Sequence, residues 1–340
     1  VPTPVDDHLT PDLRAITAAC GEVVRRARAG QTLILTSTSY VGSTQDLLVG
    51  PLTERGFEVG VDVHVAFSPE RIDPGNTTHP QHTVPRVLGG ATPRCALAAQ
   101  AVIGRVAPSV HIVDNLETAE LTKLYENSFR AVNIALANEL ASVCTPFRID
   151  VNSVIAAAAT KPFGFMKFTP GPGVGGHCIP CDPHYLLWQL RRSHAQAPLI
   201  DQAMRSIAER PHQIADTVRH ELFRLGIPSE RARVHVLGVA YKPGVEDARE
   251  SPAVAIMGEL LADGIDVSYD DPLVPELALR SATVMKATPV RLDEPDIVLM
   301  PDSMRSWRRL ARSIVRSCSL VMVPTWLGSL PAFCRTSWVR

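Results

Sequence analysis

A cysteine stands at the end of a glycine-dense run, Gly171-Pro172-Gly173-Val174-Gly175-Gly176-His177-Cys178, and an acid, Asp182, follows four residues later. Glycines at this density let backbone approach a ligand closely and reach φ > 0. A thiol held in such a loop can act as a nucleophile through its thiolate. Asp182 is near enough in sequence to orient a water or hold a neighbouring base. The competing reading is a surface loop with an incidental cysteine, since free cysteine is more often a small buried hydrophobe.

Three further groups have chemical types in suggestive places. Glu120, Lys123 and Asn127 recur at spacings of three and four, which puts them on one face of a helix. A solvated Glu–Lys pair is the plain alternative. Phe67-Ser68-Pro69-Glu70-Arg71 closes a strand and opens a loop, as Ser37-Thr38 closes an earlier one. The carboxyl ends of strands are where α/β folds bind ligands. Tyr241-Lys242-Pro243 leads from a strand to the helix opened by Ser251-Pro252. A cation beside a helix N-terminus suits a diphosphate. It equally suits a helix capped by Ser251 with Pro252 in its first turn. His177, Cys178, Cys181 and His184 could in principle hold zinc, but their spacing is far shorter than that of structural zinc sites.

Taken together these strings resemble the nucleotide-sugar 6-dehydrogenases, the UDP-glucose/GDP-mannose dehydrogenase superfamily, and most of all their bacterial UDP-N-acetyl-hexosamine branch. The resemblance rests on Lys161-Pro162-Phe163-Gly164-Phe165, the cysteine loop through Asp182-Pro183-His184-Tyr185, and the stretch Glu117 to Asn127 continuing through Arg130-Ala131-Val132-Asn133. It implies NAD as cofactor, a nucleotide sugar as substrate, and two successive oxidations of a primary alcohol to a carboxylate through a cysteine thiohemiacetal and thioester. By resemblance Cys178 is the nucleophile, and Lys123 and Asn127 face the carbon being oxidised. Asp182, Glu70 and Thr38 handle protons and water, and Lys161, Gly175, Tyr241 and Lys242 meet the substrate. Ser37, Thr38 and Arg249 meet the dinucleotide. Cysteine is not usual in the family at Cys181, so that residue is read as incidental, and Thr36 stands where an acid is often found.

The elements that must position these groups are legible from periodicity. Helices are expected at 11–29, 43–55, 93–103, 116–144, 151–159, 183–193, 198–225, 251–263 and 304–317. Strands are expected at 32–36, 63–67, 86–88, 234–240, 266–269 and 296–300. The alternation implies mostly parallel sheets flanking an all-helical middle. The alternation gives an α/β fold, and the resemblance implies its parts: a partial doubly wound NAD domain over 1–114, a central helical dimerisation region over 115–226, and a Rossmann-like nucleotide-sugar-binding domain over 227–326. A divergent tail covers 327–340, and Val321 to Trp326 replaces the family's closing strand.

Composition narrows the class. The 340 residues are 45% hydrophobic and 20% charged with a net charge of −1, which offers no basic field for nucleic acid. Apolar runs are too short to span a membrane, and no signal peptide is read. Seven scattered cysteines suit reduced thiols in a cytoplasmic protein. The chain begins with Val1, and no G-x-G-x-x-G follows a strand near that end. The expectation is an N-terminally truncated chain with weak NAD binding. Its alternative function is to bind nucleotide sugar or dimerise without turnover.

Overall fold

The computed structural model describes residues 1–6, 8–72, 79–242, 244–279, 283–289 and 295–300, and the backbone of 319–322. The chain divides into two compact units, 1–130 with 178–200, and 131–177 with 201–340.

The first unit is built on a four-stranded sheet of β1 (Thr32–Leu35), β2 (His64–Phe67), β3 (Arg86–Gly90) and β4 (Val110–Val113), in that spatial order. The β1–β2 and β3–β4 pairs are parallel, whereas β2 and β3 run antiparallel. Helix α1 (Arg14–Arg26) packs Ile16, Cys20 and Val24 into the core with Leu35, Val65 and Phe67. It starts later than periodicity suggests. Pro11 is held in an extended bridge with Val5, and the Asp12 carboxylate accepts the Arg14 amide at 3.0 Å. After β1 a π-helical stretch, Gln45–Val49, runs into α2 (Gly50–Glu54), and Gly56 ends it at φ 87°. Helix α3 (Pro93–Ile103) is capped by the Thr92 hydroxyl and packs Ala99 on Ala66 and Leu88.

Strand β3 extends through Gly89 and Gly90, beyond its expected end, because neither has a side chain. A Cβ on Gly89 would lie 2.2 Å from the Asn115 carbonyl oxygen, and one on Gly90 2.4 Å from the Ala96 nitrogen. Strand β4 escapes sequence reading because its pattern is short and half exposed, with no buried alternation.

Helix α4 (Leu116–Phe147) is a single element of 32 residues, with Pro146 in its last turn. Helices α5 (Val151–Ala158), α6 (Asp182–Arg192) and α7 (Pro198–Leu225) follow it, as the all-helical middle requires. In the second unit α5 packs Val151 and Ile155 on Ala141 and Cys144 of α4.

That unit also holds a parallel sheet in the order β10 (Ser319–Met322), β9 (Ile297–Met300), β5 (Arg233–Leu237), β6 (Asp266–Asp270). Its core joins Ile214, Val218 and Leu222 of α7 to Ile256, Met257 and Leu260 of α8 (Pro252–Ala262) and to Val234 and Val236. A hairpin of β7 (Glu276–Ala278) and β8 (Val284–Lys286) completes it, each strand too short to register as a period-two pattern. Ser319–Met322 pairs with β9 as a further strand, in the region where a closing strand is read as replaced. The expected helix over 304–317 and the tail over 327–340 lie outside the described residues. Among those residues no helix is long and apolar enough to cross a membrane.

Candidate active site

The first unit gathers most of the expected reactive groups around the N-terminal half of α4. Asp182 opens α6, and its backbone amide donates to the Cys178 carbonyl at 2.8 Å, so the thiol stands one turn before the helix. Cys178 is exposed, whereas Cys20, Cys95, Cys144 and Cys181 are buried. Asp182 is 3% exposed and accepts a hydrogen bond from the Asn127 amide. Burial pushes its carboxyl up to about 6, against the opposing pull of the Lys123 ammonium and the Asn127 bond. A buried acid poised near neutral pH is suited to proton transfer. Lys123 and Asn127 are both buried on α4, on the same face, as their spacing predicts.

Glu120 does not form the solvated surface pair that is the plain alternative reading of its spacing. It is 1% exposed and turns to the segment that follows Thr38. It accepts the Gly42 amide, the Ser43 hydroxyl at 3.0 Å, and the Thr44 amide and hydroxyl at 2.8 and 2.6 Å. Its carboxyl is pushed up by burial, which outweighs those bonds.

Glu70, at the end of β2, is half-buried. Burial raises its pKa, but the Arg86 guanidinium at 2.7 Å and the Arg71 amide outweigh it and hold the carboxylate ionised. Arg86 is itself buried and donates to the Pro69 carbonyl at 3.0 Å. Arg71 ties the same loop to α4 by pairing with Glu126. Ser37 accepts a hydrogen bond from the Val1 amine at 3.1 Å, and Thr38 follows it, half-buried. The Ser39 hydroxyl is buried with no hydrogen-bond partner among the described residues.

The second unit gathers the expected substrate contacts. A Cβ on Gly175 would meet the Tyr241 Cβ at 2.6 Å and the Glu250 carbonyl at 2.8 Å, and Gly176, at φ 80°, lies on the Tyr241 ring. The glycines of the cysteine loop therefore give close approach to protein as well as to any ligand. The loop's start is fixed by Gly171, whose amide donates to Asn138 at 2.8 Å and whose carbonyl accepts from Arg210 at 3.1 Å. The turn that delivers Tyr241 and Lys242 is tied by Asp271, 1% exposed, which accepts the Val239 and Ala240 amides at 2.8 and 3.0 Å. Arg249 makes a two-pronged pair with Asp247 at 2.9 and 2.6 Å. Lys161 is exposed, its ammonium 5.0 Å above the Phe163 ring. Ser251 opens α8 as expected, yet its hydroxyl does not cap the helix; it is buried without a partner among the described residues.

The polar groups at the carboxyl end of β1 fit one end of a dinucleotide. A pyrophosphate cradle would need a strand, a glycine-rich turn and a helix in succession. The string Gly171 to Gly176 has the spacing G-x-G-x-x-G, but it follows loop rather than strand. The described residues offer hydroxyls at Ser37 and Thr38, just past the carboxyl end of β1. They also contain no group of three or more His, Cys, Asp or Glu able to hold a metal ion.

Family models match along most of the chain. The NAD binding domain of the UDP-glucose/GDP-mannose dehydrogenase family matches residues 1–106, its central domain 117–207 and its UDP binding domain 235–316. Protein CapL of Staphylococcus aureus is 35% identical over 80% of this chain, which spans 64% of that protein. An NDP-N-acetyl-D-galactosaminuronic acid dehydrogenase of Ralstonia solanacearum is 33% identical over 91% of this chain and 74% of its own length. The structure of a UDP-D-ManNAc dehydrogenase from Pyrococcus horikoshii superposes with a TM-score of 0.86 at 29% identity, covering 97% of this chain and 77% of that one. The arrangement of thiol, lysine, asparagine and buried aspartate thus stands in a chain that belongs to the UDP-glucose/GDP-mannose dehydrogenase family.

Proposed function

We propose that this chain serves an NAD-dependent nucleotide-sugar 6-dehydrogenase acting on a UDP-N-acetyl-hexosamine, with Cys178 as a covalent nucleophile. The observation that carries the reading is Asp182, buried, bonded to Asn127, coupled to Lys123 and one helical turn after an exposed thiol. The relatives named for N-acetyl-hexosamine derivatives support the substrate class.

NAD⁺, when bound, takes up the hydride released in each oxidation. The first oxidation leaves an aldehyde at C6, and the Cys178 thiolate adds to its carbonyl carbon to give a thiohemiacetal. The second leaves a thioester, whose C–S bond breaks when water attacks, returning the thiolate and releasing the carboxylate. A thiol suits both ends of this sequence because it adds readily and leaves readily. Lys123 stabilises the oxyanions, and Asn127 orients Asp182. Asp182 holds and returns the protons. Glu70, kept ionised by Arg86, accepts a proton during hydrolysis, with Thr38 placing the water.

Tyr241, Lys242, Gly175 and Lys161 receive the nucleotide sugar, and Arg249 reaches the dinucleotide. The functional form is a homodimer through α4, along which Leu121, Tyr125, Phe129, Leu136, Val143 and Phe147 are exposed. The domains follow the boundaries 1–114, 115–226 and 227–326. A cytoplasmic setting suits the five described cysteines, which stand as thiols.

The test is NADH formation with UDP-N-acetylmannosamine, UDP-N-acetylglucosamine and UDP-glucose, alongside calorimetric binding to the protein and to Lys242→Ala. Turnover that is lost in Cys178→Ala supports the reading. Binding that depends on Lys242, without turnover, would leave a nucleotide-sugar binder instead.

A further inference from the structure

Five consecutive residues after Thr38, Tyr40 to Thr44, are each tied to one of the helices that carry the reactive groups. The Tyr40 ring packs edge-on against Trp188 of α6, with ring centroids 5.9 Å apart. Val41 pairs with the Gln189 side-chain amide in both directions: its N–H donates to Oε1 at 3.0 Å, and Nε2 donates to its carbonyl at 2.7 Å. Gly42, Ser43 and Thr44 all bond to Glu120 of α4. Gly42 sits at φ 94°, a conformation that favours glycine and lets the turn fold back onto the carboxylate.

A helix start needs far less than this. Ser43 or Thr44 could cap it with their own hydroxyls, as such residues ordinarily do. Both hydroxyls instead donate to a carboxylate on another element, and that carboxylate is taken out of water at a cost. The expense is accounted for by where Glu120 and Gln189 stand. Glu120 lies about one turn before Lys123 and two before Asn127 on α4, and Gln189 two turns after Asp182 on α6.

We propose that Glu120 and Gln189 are positioning residues that lock the Tyr40–Thr44 turn, and with it Thr38, to the helices bearing Lys123, Asn127 and Asp182. The proposal rests on the reading of Thr38 as part of the reaction site. A turn held by one helix could still drift relative to the other; the double grip removes that freedom.

Hydrogen exchange read by mass spectrometry, combined with steady-state kinetics, tests it. In Glu120→Ala the Gly42 and Thr44 amides should exchange faster by about tenfold or more, and in Gln189→Ala the Val41 amide should do so, since each loses its acceptor. The amides of residues 37–39 should accelerate in both variants, and those of β5 in neither. Turnover should fall by about 10- to 100-fold in kcat, with the KM for nucleotide sugar unchanged, because alignment and not affinity is lost. Glu120→Gln, which keeps the shape and part of the acceptor capacity, should fall between.

Unchanged exchange over residues 37–44 in Gln189→Ala and Glu120→Gln would overturn the proposal, as would a loosened turn with full kcat. Should Glu120→Ala fail to fold, those two variants decide. An unaltered protein without turnover would count against the proposed activity alone. The positioning role would then stand or fall on exchange at residues 37–39.

Discussion

At the scale of single residues, the burial of Asp182 has a consequence for stability. Its carboxyl titrates near 6 in the folded protein against an ordinary value of 3.8. Between those values the folded state holds the proton more tightly than the unfolded chain. Its contribution to stability is thus complete below about 3.8 and is lost as pH rises through about 6, a swing of about 3 kcal/mol. Asp182→Asn should therefore stabilise the protein at pH 8 by about 1–3 kcal/mol, vanish as an effect near pH 4, and abolish turnover; urea denaturation at the two pH values checks the first two. Cys178, the exposed member of the five described cysteines, should take up limiting iodoacetamide before the buried four. Peptide mapping that finds the first label on Cys181 or Cys95 would sink the nucleophile assignment. Spacing makes legible only that Lys123 and Asn127 share a helix face and that Asp182 lies close to Cys178; that the two groups belong to one site is implied in sequence by the family resemblance. The partners that fix the surrounding segments are not: Glu126 on Arg71, Arg86 on Glu70, Gln189 on Val41 and Asp271 on the turn at Val239 and Ala240 are ordinary polar residues until the fold brings a distant segment against them.

At the scale of elements, the cysteine loop behaves as a fitted part. Gly175→Ala forces its methyl into Tyr241 and the Glu250 carbonyl and should cost about 1–3 kcal/mol, whereas Gly171→Ala, whose nearest neighbour would be 3.8 Å away, should be nearly silent. Thermal melting of the two variants side by side tests this, and equal losses would contradict the packing described. A sequence displays both glycines alike; only the tertiary neighbour separates them. The same limit explains the strands. β9 announces itself as a continuous apolar run, and β5 as valines and a leucine around one buried histidine, because both are buried, but β4 and the β7–β8 hairpin carry no such signal. Capping misleads in the same way at Ser251, a residue of the right type whose hydroxyl makes no cap bond.

At the scale of the whole molecule, α4 leaves a line of large apolar side chains in water, from Leu121 to Phe147. If a second copy covers that line, Tyr125→Asp with Leu136→Asp should yield a monomer in analytical ultracentrifugation without disturbing the far-ultraviolet circular dichroism. A monomeric unaltered protein at micromolar concentration would exclude the dimer. Acid should act on the second unit through His235, buried on β5, whose ring is held neutral by burial with a pKa lowered to about 4 from 6.5. The unfolded chain binds that proton more readily, so stability is lost as pH falls from about 6.5 towards 4, and His235→Gln should flatten that loss in amide exchange of β5 and β6. Alternation of elements and the mid-chain helices were readable from periodicity alone. The antiparallel step between β2 and β3 was not, because no local pattern encodes which way a neighbouring strand runs.

Gly89 has a reach out of proportion to its size. Its missing side chain lets the Asn115 carbonyl settle where a Cβ would lie 2.2 Å away, just ahead of the residues that begin α4. A helix transmits displacement along its axis almost undiminished, so a single methyl at this strand position acts as a shim under a rod. Gly89→Ala would push Lys123 and Asn127 off their alignment with Asp182 from the far end of a lever. A misplacement of about 1 Å at reacting distance is worth about a hundredfold in rate. The gauge that sets how α4 stands against Asp182 is thus an empty space on a strand that carries none of these side chains.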